Sequence, residues 1–479
     1  MGLKQQVLGG VKWNSVSVVV NTVVQLLRMV VLARILDVSD FGILAIAMAI
    51  VSFTEIFADL GFTVPIIHKQ NITDVQYSSV YWVNIIVSVI IVCVLLVLAP
   101  FIASIYNEPR LKSIVMVLSS IVLINAMGKL FQTIKTKEMD FKFISIVSIV
   151  CALIGFVTTL VLALLDFNVW SLVIGTMVQT LIRQMIYCIN GLKCIKISFQ
   201  IKFGEIKDFL SIGGYHIGAQ IMDFVANKID VFILGRILGM EALGIYNLAK
   251  EFIIKIYATF VSLSRSVMTS AFAKIQESAN QLKQLMIKYC QLYSYIVVPI
   301  FCVLIIFPFE MCSIMYGGEK AELMTVPVRV LAFYGIFTSL CAPVVSLILA
   351  LGKTNYSLKW TIVCAIANIG FVSIAGFWGI NAVLVSQVIL SVLLYVLNWK
   401  LLVSKMVDIS LRQYINMSSK AIGIACVVSL VFLIASKVLG GGFVIFFLMT
   451  ILFLIVYTFV SMRINKIRVS DVIVFVKGK

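Results

Sequence analysis

Runs of about twenty apolar residues, broken by short polar stretches, recur along all 479 residues of the chain. A hydrocarbon core about 30 Å thick is crossed by a helix of about 20 residues, so each run predicts a membrane span. The pattern predicts fourteen, over residues 12–35, 40–62, 78–104, 111–133, 143–165, 168–190, 210–234, 243–271, 285–309, 326–350, 358–377, 380–399, 420–438 and 442–462. The expected fold is an all-α polytopic membrane protein.

The pattern also repeats. The stretch 32–47 returns at 234–249 with Leu, Arg, Ile, Leu, Gly, Ile and Ala in the same places. Pro100-Phe101 and Ile154-Gly-Phe-Val have counterparts in Pro308-Phe309 and Ile369-Gly-Phe-Val. Corresponding spans lie six apart, an even number, so the two copies share one orientation. Two parallel six-helix lobes with pseudo-two-fold symmetry about the membrane normal are expected, an arrangement common in transporters. The lobes are residues 1–190 and 209–400, joined by an amphipathic cytoplasmic linker over 191–208. Spans 13 and 14, within residues 401–479, form an appendage with a tail.

Charge adds orientation. Only 12% of residues are charged, against about 25% in a soluble domain, and the formal net charge is +17. The basic residues sit in alternate loops, among them Lys69, Lys135, Lys137, Lys193, Lys196, Lys202, Lys353, Lys400 and Arg463. That distribution follows the positive-inside rule and predicts both termini in the cytoplasm, not a nucleic-acid surface. The amino-terminal segment MGLKQQVLGG lacks the apolar region of a cleaved signal. The ten cysteines are scattered singly and only two histidines are present, so neither a disulfide framework nor a metal site is expected.

Polar residues inside the spans are the candidate chemistry, because they are costly there and mark function. In span 7, His216, Gln220, Asp223, Asn227 and Asp230 are spaced by four and three and share one face. The repeat maps Asn14, Asn21, Gln25 and Arg28 of span 1 onto four of them. Span 8 adds Lys250, Glu251, Lys255 and Arg265, span 6 adds Arg183, and span 2 adds Glu55 and Asp59. Lys129 and Arg329 lie near span ends, where long basic side chains snorkel. The candidate substrate contacts are therefore Arg28, Arg183, Lys250, Lys255, Arg265, Asn21, Gln25 and Asn227. The acids Asp223, Asp230, Glu55 and Asp59 are candidates for a coupling ion, proton or sodium. No cofactor, metal or catalytic residue is expected.

Three segments together resemble a known group: Leu32-Ala-Arg-Ile-Leu with Asp40-Phe-Gly, Asp59-Leu-Gly-Phe with Ile66-Ile, and Phe167-Asn-Val-Trp-Ser-Leu-Val. Their order and spacing are similar to the polysaccharide-transporter branch of the multidrug/oligosaccharidyl-lipid/polysaccharide exporter superfamily, which includes the Wzx-type flippases. The resemblance implies a V-shaped fold with alternating access. It implies movement of undecaprenyl-diphosphate-linked oligosaccharide from the inner to the outer leaflet of a bacterial plasma membrane, for surface polysaccharide biosynthesis. It also implies that spans 13 and 14 accompany the lipid tail, and that the pathway's polymerase and glycosyltransferases are further partners.

The residues agree on ligand type. Arg and Lys in a wet cleft replace the hydration of a diphosphate, and Arg binds its oxygens in pairs. Two rivals follow from the same sequence. A cation-coupled multidrug exporter would favour a cleft of acids, against the basic residues here. An integral-membrane glycosyltransferase or polymerase would need a large extramembrane segment, and no nucleotide-binding or nucleophile-elbow motif is present.

Overall fold

The computed structural model of the protein describes residues 3–69, 71–439 and 443–465. The tail after span 14, with Lys466 and Arg468, lies outside them. The described chain is helical. In order come α1 (Leu3–Ile35), α2 (Val38–Ala58), α3 (Thr63–His68), α4 (Asp74–Tyr106), α5 (Arg110–Lys137), α6 (Phe141–Leu164) and α7 (Val169–Cys194). A long element, α8 (Phe203–Lys274), is followed by α9 (Ala279–Ile306), α10 (Pro308–Tyr316), α11 (Gly318–Ala350), α12 (Thr354–Gly376) and α13 (Ile380–Asn398). A π-helical turn over Trp399–Val403 leads into the single turn α14 (Ser404–Met406), then α15 (Leu411–Leu439) and α16 (Phe443–Asn465).

Among the described residues, twelve helices are long and apolar enough to cross a membrane. The remaining two expected spans are the arms of α8. Each arm is long enough, but their charges (Asp223, Lys228 and Asp230 in one, Lys250, Glu251, Lys255 and Arg265 in the other) lower the mean hydropathy. Together they give the fourteen expected crossings. The arms meet at Gly239, whose φ of 83° and ψ of 178° leave the helical region. A side chain is strained at that φ, and glycine is not. Its counterpart in the repeat, Asp37, breaks the chain with an ordinary extended conformation, φ −68° and ψ 150°.

Helix ends follow local chemistry. Thr73 and Gln76 cap α4 reciprocally, the Thr73 hydroxyl accepting from the Gln76 amide and the Gln76 side chain accepting from the Thr73 amide. Asn107 ends α4 in the left-handed conformation, a turn that Asn tolerates better than most residues. Asp140 caps α6 by accepting from the Phe143 amide at 3.2 Å.

By packing, the chain divides into two compact units, residues 1–247 and 248–479. In the first, α4 lies on α5, α5 on α7, and α6 on both α1 and α7. The first arm of α8 runs antiparallel to α2: Gly213 meets Gly61, Phe224 meets Phe53 with ring centroids 5.1 Å apart, and Met240 meets Gly42. In the second unit α9 packs on α11 and α15, α13 on α11 and α12, and α15 on α16.

The expected linker, 191–208, is part helix and part extended chain. After α7 ends, residues 195–202 lie along α4. The Ser78 hydroxyl accepts from the Ser198 amide and the Ser79 hydroxyl from the Lys202 amide, both at 3.0 Å. The Trp82 indole donates to the Ser198 carbonyl at 3.1 Å. Ile195, Ile197 and Ile201 pack against a core containing Phe62, Phe131, Tyr187 and Phe209. Lys196, Phe199 and Lys202 face outward. Ile195 and Ile197 alternate with Lys196, and Ile201 with Lys202, in the period of two of an extended chain, a pattern that the exposed Phe199 interrupts.

Candidate functional site

Four helices of the first unit enclose a partly open pocket of about 250 Å³. From α2 come Glu55 and, at its C-cap, Asp59; α4 supplies Asn84; α5 supplies Asn125, Lys129 and Gln132; α7 supplies Arg183 and Gln184. The polar residues reach one place for simple reasons. Glu55 and Asp59 are one helical turn apart, as are Asn125, Lys129 and Gln132, so each set shares a face. Gly128 lets α5 approach α7, since a Cβ there would strike the Gln184 backbone and side chain.

A short relay of hydrogen bonds lines the wall. The Gln184 amide donates to the Asn125 Oδ1 at 2.7 Å, and the Asn125 amide donates to Glu55 Oε1 in a close contact. Thr63 donates to both carboxylate oxygens of Asp59, at 3.1 and 3.2 Å. Lys129 and Arg183 lie within electrostatic reach of Glu55, and Lys129 and His216 within reach of Asp59. Three polar atoms here are buried without a hydrogen-bond partner in the protein: Asn84 Oδ1, Arg183 Nε and Gln184 Oε1.

Of the residues expected from sequence, this pocket gathers Glu55, Asp59 and Arg183. It also holds Lys129, which the sequence placed at a span end. Arg28 donates through Nη2 to Thr176 Oγ1 at 3.1 Å and to the Leu172 carbonyl at 3.5 Å, joining α1 to α7. Asn21 donates to Ser17 and Ser148, both at 3.0 Å, joining α1 to α6. Gln25 is exposed on α1.

On the first arm of α8, Asp223 and Asn227 are exposed, the Asn227 amide donating to Asp223 Oδ1 at 3.1 Å and to its carbonyl at 2.8 Å. Asp230 is fully buried and accepts from the Tyr246 hydroxyl at 2.7 Å. In the second unit Lys250 is buried, Lys255 half-buried and Arg265 exposed.

Sequence reasoning passed over Asn84, Asn125, Gln132 and Gln184. The spacing of Asn125, Lys129 and Gln132 was a usable signal, of the same kind as the stripe on α8. Asn84 stands alone in its span, and only the packing of α4 on α5 gives it polar neighbours.

Residues 31–325 match the family of polysaccharide biosynthesis proteins. The chain is 24% identical over 420 residues to the lipopolysaccharide biosynthesis protein WzxC of Escherichia coli, covering 87% of this chain and 84% of that one. It is 24% identical over 359 residues to the teichuronic acid biosynthesis protein TuaB of Bacillus subtilis, covering 75% and 74%. Its fold is similar to that of the lipid II flippase MurJ in an inward closed conformation, with a TM-score of 0.77, 14% identity and coverage of 94% and 98%.

Proposed function

The chain belongs to the polysaccharide biosynthesis protein family, and from that membership we propose that it is a flippase for lipid-linked oligosaccharides. Its substrate is an undecaprenyl-diphosphate-linked repeat unit of a surface polysaccharide, carried from the inner to the outer leaflet of a bacterial plasma membrane. It is a transporter and not an enzyme. The names of its relatives support the pathway, and the likeness to a lipid flippase supports a fold suited to the task.

The observation that carries this reading is the set of ionisable side chains held inside an apolar helical bundle, above all Glu55, Asp59, Lys129 and Arg183 around one pocket. Burying charge costs several kcal/mol per group unless it is matched, so a bundle that keeps four of them has a use for a polar environment. A diphosphate-sugar headgroup needs such an environment to leave water, while its tail remains in lipid.

Arg28, Arg183, Lys250, Lys255 and Arg265 are the proposed contacts to the diphosphate-sugar headgroup, with Asn21, Gln25 and Asn227 as hydrogen-bonding neighbours. Asp223, exposed on α8 beside Asn227, is the acid best suited to a coupling proton or sodium ion. The lobes 1–190 and 209–400 are the proposed moving parts, with both termini cytoplasmic as the loop charges favour. An inside-negative membrane assists export of an anion by about 2.3 kcal/mol per charge for each 100 mV.

The test is leaflet transfer in proteoliposomes, using a fluorescent polyprenyl-diphosphate sugar and a membrane-impermeant quencher outside. Wild-type protein exposes the inner-leaflet probe faster than protein-free vesicles, and Arg183→Gln slows it at least about tenfold, the loss of one charge-assisted contact. A wild-type rate equal to that of empty vesicles refutes the reading.

A further inference from the structure

The pocket among α2, α4, α5 and α7 has properties that narrow its ligand. Its charges balance, two carboxylates (Glu55 and Asp59) against two cations (Lys129 and Arg183). A bound metal ion, proton or phosphate would upset that balance, whereas a neutral ligand leaves it intact.

The unpartnered atoms say more. Asn84 Oδ1 and Gln184 Oε1 are acceptors, and Arg183 Nε carries a donor. Asn84 and Gln184 are only 5% and 3% exposed. A buried polar atom left without a partner costs about 1–3 kcal/mol, so these three call for a ligand that both donates and accepts. A cation satisfies only the acceptors, and a phosphate only the donor. A hydroxyl does both.

Size agrees. The partly open volume of about 250 Å³ admits one sugar ring.

We propose that this pocket binds a single neutral sugar ring through its hydroxyls, with Asn84, Gln184 and Arg183 as the specificity-determining contacts. The proposal rests on the flippase reading for the source of the ring, which is the lipid-linked headgroup. Gln184 is fixed for the task by donating to Asn125, which in turn donates to Glu55. Its Oε1 lies beside Gly128 of α5 and accepts no hydrogen bond within the protein.

The experiment measures equilibrium binding to the purified full-length protein in nanodiscs. The probes are polyprenyl diphosphate without sugar and the same lipid carrying glucose, galactose, N-acetylglucosamine or glucuronic acid. At least one neutral sugar is expected to improve binding about tenfold over the bare lipid, the worth of one or two hydrogen bonds. Asn84→Leu and Gln184→Met abolish that gain and leave the bare lipid's affinity unchanged. Excess free methyl glycoside of the favoured sugar competes away the gain alone, which identifies the ring and not the lipid as the ligand.

Equal binding of every probe by the wild type overturns the proposal, whatever the variants do, and assigns the pocket to water. A gain for glucuronic acid alone overturns it too, because the selected ligand is then an anion. Leaflet transfer is not part of this readout. A wild type that selects a neutral sugar yet moves nothing across vesicles refutes the flippase and leaves the pocket standing; one that moves lipids without selecting a sugar does the opposite.

Discussion

Gly42 and Gly244 occupy equivalent places in the internal repeat, and each lies against the turn that opens the other copy. A Cβ on Gly42 would strike the Met240 carbonyl and come within 3.1 Å of the Gly244 amide nitrogen; a Cβ on Gly244 would strike the Val38 carbonyl. Val38 and Met240 are themselves equivalent in the repeat, so the contact is reciprocal. The obstruction is backbone, which cannot rotate aside as a side chain does. Close approach of this kind is what small residues give to helices in membranes.

Gly42→Ala is therefore expected to destabilise the purified protein by about 1–3 kcal/mol, the usual cost of overpacking. Gly370 supplies the control, since nothing lies within 4 Å of a Cβ there. Gly370→Ala should be neutral or stabilising by up to about 1 kcal/mol. Denaturation midpoints of the two variants in detergent check the contrast, and equal behaviour would show that the turns yield freely.

Asn125 stands between Glu55 and Gln184 and bonds to both. Asn125→Leu keeps the volume but removes a donor from Glu55 and an acceptor from Gln184. A loss of about 1–3 kcal/mol is expected for each group left without that bond. The double variant Asn125→Leu with Gln184→Met should lose less than the sum of the two singles, because the shared bond is broken only once. Unfolding of the four proteins of this cycle measures the coupling; strict additivity would mean that the relay is not a unit.

Glu108, in the turn between α4 and α5, offers a pH test outside the spans. Arg110 donates to it from Nε at 2.9 Å and from Nη2 at 3.1 Å, and this holds the Glu108 carboxyl below its ordinary range. Arg110 also reaches the buried Asp40 of α2 at 3.2 Å. With the folded value depressed, the contribution to stability is complete above the ordinary glutamate value of about 4.3 and is lost as pH falls through the lower folded value. Arg110 is half exposed, so the effect is modest. Thermal midpoints between about pH 3 and about pH 6 should fall on acidification in the wild type, and more gently in Glu108→Gln.

The spans and the repeat were legible because length and apolar content decide which helices cross a membrane, and the turn after Ile35 is nearly copied after Ile237. The break at Gly239 was legible for the same reason. The short helices α3 and α10 and the π-helical turn at Trp399–Val403 were not, because tertiary packing and not hydrophobic period sets them. In the site, Glu55, Asp59 and Arg183 stood out as charges in apolar surroundings. Asn84 and Gln184 did not, since a single amide within a span is ordinary until the neighbouring helix shows what faces it. Arg28 and Asn21, conspicuous in sequence as well, hydrogen-bond to Thr176 and Ser148 of adjacent helices.

The extended stretch 195–202 grips α4 at Ser78, Ser79 and Trp82, within two turns of Asn84, and then runs straight into α8. It behaves as a strut and not as slack rope. A displacement at the root of α8 is therefore expected to pull on α4, the stave that carries Asn84. Cutting or lengthening this stretch would uncouple the wall of the pocket from the helix that follows, even with every lining residue in place.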